Sequence, residues 1–348
     1  MTTTVERYGM GAKPPVRVSA VPVGWELARL AARAALFSSQ LTTRLMYAVH
    51  AGFSKRVSAD LSSRLGPGDV MVALPFAALE IFTVARAAGA RTVLHFVNNH
   101  PDEHNRIMMQ RAGLGRLHHE MVPERPARRV ELEIRQADLI MVPSRAVANQ
   151  LLARGVTEKR LLVAPYGVDT ATFNPGPSNR SPRPTDDVVR VIFVGQISHL
   201  KGVPLLLAAM QHLGDGFSLD MYGPLVSREI VRALPENVRW HGTVGRERLA
   251  QLLRDGDVFV LPSHVDAFAF VVTEALASGL PVVTTTATGS SEFVVDGING
   301  FVLREPDAKD LARALRSAAN LRPYPGAAPV FPTWESYSAN VLPVLEKL

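Results

Sequence analysis

The chain contains no cysteine, which excludes disulfides, thiolate nucleophiles, Cys-bound zinc and iron–sulfur clusters together. It has no apolar run of membrane length either. One of the strongest stretches, Leu74 to Phe82, is interrupted by Glu80 and falls far short of the roughly 20 residues a spanning helix needs. The opening residues MTTTVERYGM lack the basic-then-apolar order of a secretory signal, so a cytoplasmic location is expected. There is no zinc-finger spacing, aromatic-rich basic strand or Lys-rich tail, and no nucleic-acid partner is expected. What is present is ordinary for a folded protein: 47% apolar and 20% charged residues, in a length of 348 that suggests about two domains.

The net charge of +6 is unevenly placed, with +9 over residues 1–186 and −3 over residues 187–348. A basic half can face an anionic membrane surface or a phosphorylated small molecule, or be a plain Arg-rich surface. Trp25 to Phe37, WELARLAARAALF, sets Leu27, Leu30, Ala31, Ala34 and Phe37 on one stripe with Arg29 and Arg33 opposite. That pattern fits a core helix, and it leaves open a peripheral contact with anionic lipid.

From Val188 onward, short β-branched runs alternate with helical patterns: VVRVIFVG then Pro204 to His212, FSLDMYG then Ser227 to Leu234, VRWHG then Arg246 to Arg254, DVFVLPS then Phe268 to Ser278, then PVVTTT and FVL. This rhythm predicts a parallel sheet covered by helices. The N-terminal half repeats it less clearly, through VMVAL, TVLHFV and ADLIMVPS. The expected fold class is therefore α/β, with two open domains joined by an exposed linker across Phe173 to Asp187. DLIMVPS at Asp138 to Ser144 and DVFVLPS at Asp257 to Ser263 echo each other weakly, as in a duplicated layout.

Ligands of such sheets bind beyond the carboxyl ends of the strands, which directs attention to two loops. In VGQISHLKG, Gly195 ends a strand and Lys201 and Gly202 precede a helix; close backbone approach, free helix amides and a point charge suit a phosphate. A solvated lysine is the plainer alternative. In SHVDAFAFVVTEALASGLPVV, Asp266 lies in the loop before a helix and Glu274 about two turns inside it. Held in a cleft, these carboxylates accept hydrogen bonds from sugar or ribose hydroxyls, while first-turn amides near Phe268 to Val271 hold a pyrophosphate; a capping Asp and a surface Glu are the alternative.

Taken with VPSRAVANQLL, APYGVDTATFNP, GSSEFVVDGINGFVL and the late FPTWESY, these segments resemble the family-4 glycosyltransferases, retaining enzymes of the GT-B fold, from about Gly89 to Lys347. The resemblance implies two Rossmann-like domains facing a central cleft: an acceptor domain over 1–180, a nucleotide-sugar domain over 187–330, and a 331–348 segment packing back on the first. It implies transfer of a hexosyl unit from a UDP- or GDP-sugar to a sugar, lipid-linked or small-molecule acceptor, with no cofactor and no metal. Residue by residue, Lys201 contacts the diphosphate, Asp266 the transferred sugar and Glu274 the ribose, with Gly195, Gln196, Phe268, Ala269 and Phe270 lining the donor site. In VLHFVNNHPDEHNR, which holds His95, His100 and His104, the family's donor-sugar histidine falls on His100.

Three departures stand out. Gln196 replaces the usual Arg of the phosphate turn, Ala267-Phe268-Ala269 replaces Gly-Phe-Gly beside an Asp where Glu is commoner, and no opening strand with a glycine-rich loop precedes Trp25. Either the start is late or the acceptor side is remodelled. These departures favour, as an alternative, a non-catalytic partner subunit; a GT-B epimerase or phosphorylase would share the cleft. His100 to His104 also spells H-x-x-E-H, a zinc spacing, although Pro101 suggests that a helix only begins there. The DGD at Asp255 to Asp257 precedes a strand, at the opposite end from the ligand loops, and implies no metal. Glu292 and Trp334 are expected to be structural.

Overall fold

The computed structural model describes residues 39–111, 121–176, 188–321 and 331–348, with side chains from Tyr47 onward apart from Arg111. The amphipathic stripe at Trp25 to Phe37 and residues 177–187 of the expected linker lie outside them. Contact density divides the chain into two compact units, residues 1–94 with 123–138, and residues 95–122 with 139–348.

The first unit contains helix α1 (Ser39–Leu61), strand β1 (Val70–Ala73), helix α2 (Leu79–Ala87) and strand β2 (Arg91–His95, of which His95 already belongs to the second unit). β1 and β2 pair in parallel. Helix α4 (Glu124–Gln136) also belongs here, after α3 (Pro101–Arg111) of the second unit. α4 turns Val130, Glu133 and Ile134 inward. Glu133 is fully buried and accepts hydrogen bonds from the amides of Phe76 (2.7 Å), Ala78 (3.0 Å) and Leu79 (3.2 Å). It thus caps the start of α2 from another element, satisfying amides that a helix N-terminus leaves open.

The second unit continues with β3 (Leu139–Val142), α5 (Arg145–Leu152) and β4 (Leu161–Val163), and β3 and β4 pair in parallel. Its larger part holds β5 (Val189–Val194), α6 (Val203–Leu213), β6 (Phe217–Tyr222), β7 (Val238–Trp240), α7 (Arg246–Asp255), β8 (Val258–Leu261), α8 (Phe270–Ala277), β9 (Val282–Thr285), β10 (Gly300–Leu303), α9 (Ala308–Ala319) and α10 (Trp334–Leu345). Six parallel strands take the order β10-β9-β8-β5-β6-β7, and every residue of β8 and β9 is buried. Strand order reverses between β5 and β8, the switch point at which open α/β sheets leave a crevice.

Two expectations are corrected. The helical pattern at Ser227 to Leu234 closes only a single 3-10 turn, Arg228–Val231, because Pro235 follows directly and bars the preceding residue from helical backbone. Phe173, expected to open an exposed linker, is fully buried in the core, with the Arg246 guanidinium 4.8 Å above its ring. The echo between DLIMVPS and DVFVLPS has a shared physical basis in its acids: Asp138 accepts from the Thr92 amide and Asp257 from the Arg190 amide, each at 2.8 Å. Each aspartate thus ties the start of its strand to the neighbouring one. The DGD letters therefore sit at the strand-start end of the sheet, as expected. The chain end is fastened within the second unit, where Asn340 Nδ2 donates to the Val163 carbonyl at 3.0 Å.

Candidate active site

β5 ends at Val194, and the turn beyond it is locked by main-chain contact. Gly202 has φ +70°, and a Cβ there would stand 2.0 Å from the Pro262 carbonyl oxygen; at Gly223, φ +140°, it would stand 1.9 Å from that of Gly195. Only glycine fits either position. These contacts bind the β5 loop to the chain leaving β8 and to the loop after β6. Lys201 is thereby held across the switch point from Asp266, and its Nζ forms an ion pair with the Asp266 carboxylate. The other Asp266 oxygen accepts the Phe268 amide at 3.3 Å. Gln196 is exposed on the same turn.

The Asp266 loop is stitched to the loop after β9: the Asp266 amide donates to the Ala287 carbonyl (2.9 Å), Gly289 to Asp266 (2.9 Å) and Ser290 to Phe268 (2.8 Å). Ala269 then takes left-handed backbone, φ +61° and ψ +82°, as the N-cap of α8. The turn that normally carries glycine is thus kept with alanine, in a conformation L-residues disfavour. α8 starts at Phe270, so Glu274 is its fifth residue, a little over one turn in rather than two. Its carboxyl is buried, and Arg246, the first residue of α7, stands 3.8 Å away while also reaching Asp169 at 3.3 Å. Burial pushes the Glu274 pKa above its ordinary 4.5; Arg246 opposes this and Asp169 adds to it.

His100 is fully buried at the start of α3. Its amide donates to Gln150 Oε1 (2.9 Å), its Nδ1 accepts the Asp102 amide (3.3 Å), and the His104 amide donates to its carbonyl (2.9 Å). The histidine therefore begins the helix, as Pro101 suggests, and Glu103 of the H-x-x-E-H letters is engaged by Arg106 at 2.9 and 2.6 Å.

Tyr166 has no role assigned from sequence, yet the structure ties it to the loop that leads into α8. Its ring stacks on Phe270 (4.9 Å, 12°) and meets Phe268 edge-on (5.2 Å), while its hydroxyl lies 3.1 Å from His95 Nε2. Burial lowers the His95 pKa and raises that of Tyr166, so a neutral imidazole faces a protonated phenol. The signal was APYGVD itself, where a tyrosine beside glycine follows a strand. Trp334 stands 6.5 Å from Phe270 and packs its backbone against Gly167, the structural part expected of it. Arg246 carried no motif and was missed; Glu292 lies in the 3-10 turn Gly289–Phe293.

Residues 178–326 match the family described as glycosyl transferases group 1. D-inositol 3-phosphate glycosyltransferase of Geodermatophilus obscurus is 32% identical over 219 residues, covering 56% of this chain and 49% of that protein. Sulfoquinovosyl transferase of Arabidopsis thaliana is 32% identical over 194 residues, 53% of this chain and 38% of that one. The chain thus spans about half the length, or less, of these curated relatives. Among solved structures, sucrose-phosphate synthase of Thermosynechococcus elongatus superposes with a TM-score of 0.67 at 18% identity, over 87% of this chain and 78% of that one. HepE of Anabaena, in complex with UDP and glucose, gives 0.59 at 18% identity, over 84% and 78%. The chain therefore has the GT-B fold, and its residues 178–326 are similar to the glycosyl transferases group 1 family.

Proposed function

We propose that the chain transfers a hexosyl unit from a UDP- or GDP-sugar to an acceptor hydroxyl, with retention of configuration and without a metal. The observation that carries this is the Lys201–Asp266 ion pair at the β5/β8 switch, beside the start of the helix that buries Glu274. An arriving diphosphate exchanges the carboxylate partner of Lys201 for a phosphate and rests on the first-turn amides of α8. Asp266, released, accepts a hydroxyl of the transferred sugar, and Glu274 accepts the ribose hydroxyls. The bond from the anomeric carbon to the phosphate oxygen breaks, the bond to the acceptor oxygen forms, and the acceptor proton passes to the departing β-phosphate. Lys201 and the amides meet the charge that grows on that leaving group; Gln196 adds a hydrogen bond but no charge.

Retention, the absence of a metal and the His100 contact to the donor sugar follow from the resemblance to family 4. So does an acceptor drawn from cell-envelope glycan, glycolipid or natural-product synthesis. A cytoplasmic protein, touching an anionic membrane through its basic half when the acceptor is lipid-linked, fits the +9 excess over residues 1–186. Gln196 favours a second reading, a non-catalytic partner subunit. Incubation with UDP-, GDP- and dTDP-sugars under EDTA, with the product anomer read by NMR, decides between them. One donor is expected to be consumed with retention, and Lys201→Ala to lose about 10²-fold or more in kcat/KM. No turnover of any donor would favour the subunit, and full activity of the variant would remove Lys201 from the site.

A further inference from the structure

The second unit has a cavity of about 420 Å³ apart from the Lys201–Asp266 corner, inside the range of about 300–1,000 Å³ typical of small-molecule sites. α3 lines it with Glu103 and Arg106, α5 with Asn149, and the loops after β8, β9 and β10 with Ser263, Thr286 and Glu305.

Two features of its wall are costly without a ligand. Ser263 is 1% exposed, and its hydroxyl makes no hydrogen bond to any described residue; an unpaired buried hydroxyl costs about 1–3 kcal/mol. Its counterpart in the repeated heptapeptide, Ser144, caps α5 and donates to the Ala267 carbonyl at 2.8 Å. Burial of a polar side chain at this position therefore does not by itself leave it unpaired. Glu305 adopts left-handed backbone, φ +49°, strain of the kind that collects at functional sites.

Charge decides the ligand class. Arg106 grips Glu103 through two nitrogens, gives a third to Gln110 at 2.7 Å and is acted on by Glu305 as well. Arg154, also in the wall, donates to the Gln150 carbonyl at 3.2 Å and stands 3.9 Å from the Asp102 carboxylate. Each guanidinium already has an acid beside it, so a phosphate would have to displace a carboxylate and then meet Glu103 and Glu305. A ring bearing hydroxyls needs no such exchange: amide and hydroxyl groups give and accept its hydrogen bonds and carboxylates accept them, while Ile107 and Val265 offer apolar surface to its C–H face.

The cavity also borders the reaction. Ser263, His264 and Val265 of its wall run directly into Asp266, whose amide is bonded to Ala287, another wall residue. We propose that this cavity is the acceptor subsite and that it takes an uncharged sugar ring, with Ser263 Oγ, Asn149 and Glu305 hydrogen-bonded to its hydroxyls. The acceptor role rests on the transfer reading above; the sugar-binding claim does not.

The test uses the full chain without donor, titrated with methyl α-D-glucopyranoside, methyl α-D-mannopyranoside, methyl β-D-galactopyranoside and glucose 6-phosphate, and followed by saturation-transfer NMR. At least one neutral glycoside is expected to bind, and glucose 6-phosphate at least ten-fold more weakly. Ser263→Ala should weaken glycoside binding about ten-fold without lowering Tm, since the hydroxyl it removes supports no protein contact. Asn149→Ala, an exposed position, should act in the same direction. Silence from all three glycosides, tighter binding of glucose 6-phosphate, or unchanged affinity in both variants would overturn the site. Parallel calorimetry with UDP and GDP separates the two claims. Nucleotide binding without glycoside binding sinks the cavity alone, whereas glycoside binding without nucleotide binding sinks the acceptor role together with the transfer reading.

Discussion

Ala269 holds left-handed backbone without the glycine that the turn usually carries. For an L-residue that conformation costs about 1–2 kcal/mol, whereas glycine would return roughly 0.5–1 kcal/mol through the freedom it adds to the unfolded chain. The difference favours glycine: Ala269→Gly should leave the protein as stable or up to about 1 kcal/mol more stable, measured by denaturant unfolding. Lower stability would mean that the alanine methyl is packed rather than tolerated. Glu274 sets a second expectation. Its folded-state pKa lies above 4.5, so its neutral form contributes stability below that value, and the contribution is lost as pH rises through the raised pKa. Under the proposed role of Glu274 at the ribose, its carboxylate form fills over that same rise, and nucleotide affinity should therefore climb from pH 4.5 towards 7. In Glu274→Gln the calorimetric pH profile should flatten; a profile identical to that of the parent would detach Glu274 from the nucleotide. The nearness of Lys201 to Asp266 was legible in the sequence because the two loops that carry them follow neighbouring strands. Arg246 and Tyr166 were not, since their work depends on neighbours distant along the chain.

At the level of elements, legibility followed burial. β8 and β9 are covered on both faces and β5 is largely buried apart from Arg190, so these strands read as short runs rich in β-branched and apolar residues. α4 hid because its inward face carries charge. Arg129 bonds to Glu80 and Glu133, and Ser54 Oγ donates to Glu80 at 2.6 Å, so the face that packs does not look apolar. α1 stayed unseen too, because its apolar residues are scattered among Ser, Thr and charged residues around the helix and mark no single face strongly. The same cluster yields a measurable pH effect. Hydrogen bonds from Arg129 hold the Glu80 carboxyl down at about 2 against an ordinary 4.5. A depressed carboxyl contributes stability above its unfolded pKa and loses it as pH falls through the folded one. Glu80→Gln should thus cost about 1 kcal/mol at pH 6, a modest figure for a carboxyl partly open to solvent, and the gap should close between pH 4.5 and 2. A gap independent of pH in urea unfolding would show that shape, not charge, is what Glu80 supplies.

On the scale of the whole chain, the two halves were unequally readable. The family model matches residues 178–326, curated relatives match 53–56% of the chain, and likeness of fold extends over 84–87% of it at 18% identity. Under the transfer reading, a diphosphate asks for a lysine, a tight turn and free amides at set positions, which accounts for the motifs readable between Val194 and Glu274. No described helix is long and apolar enough to cross a membrane.

Gly202 and Gly223 abut carbonyl oxygens of Pro262 and Gly195, not side chains. A crowding side chain can be trimmed by a second mutation; a peptide oxygen cannot. Attempts to reshape this turn, as a change of donor would require under the transfer reading, will therefore find both positions closed to compensation, and tolerated variants should arise at sites such as Gln196, where the chain leaves room.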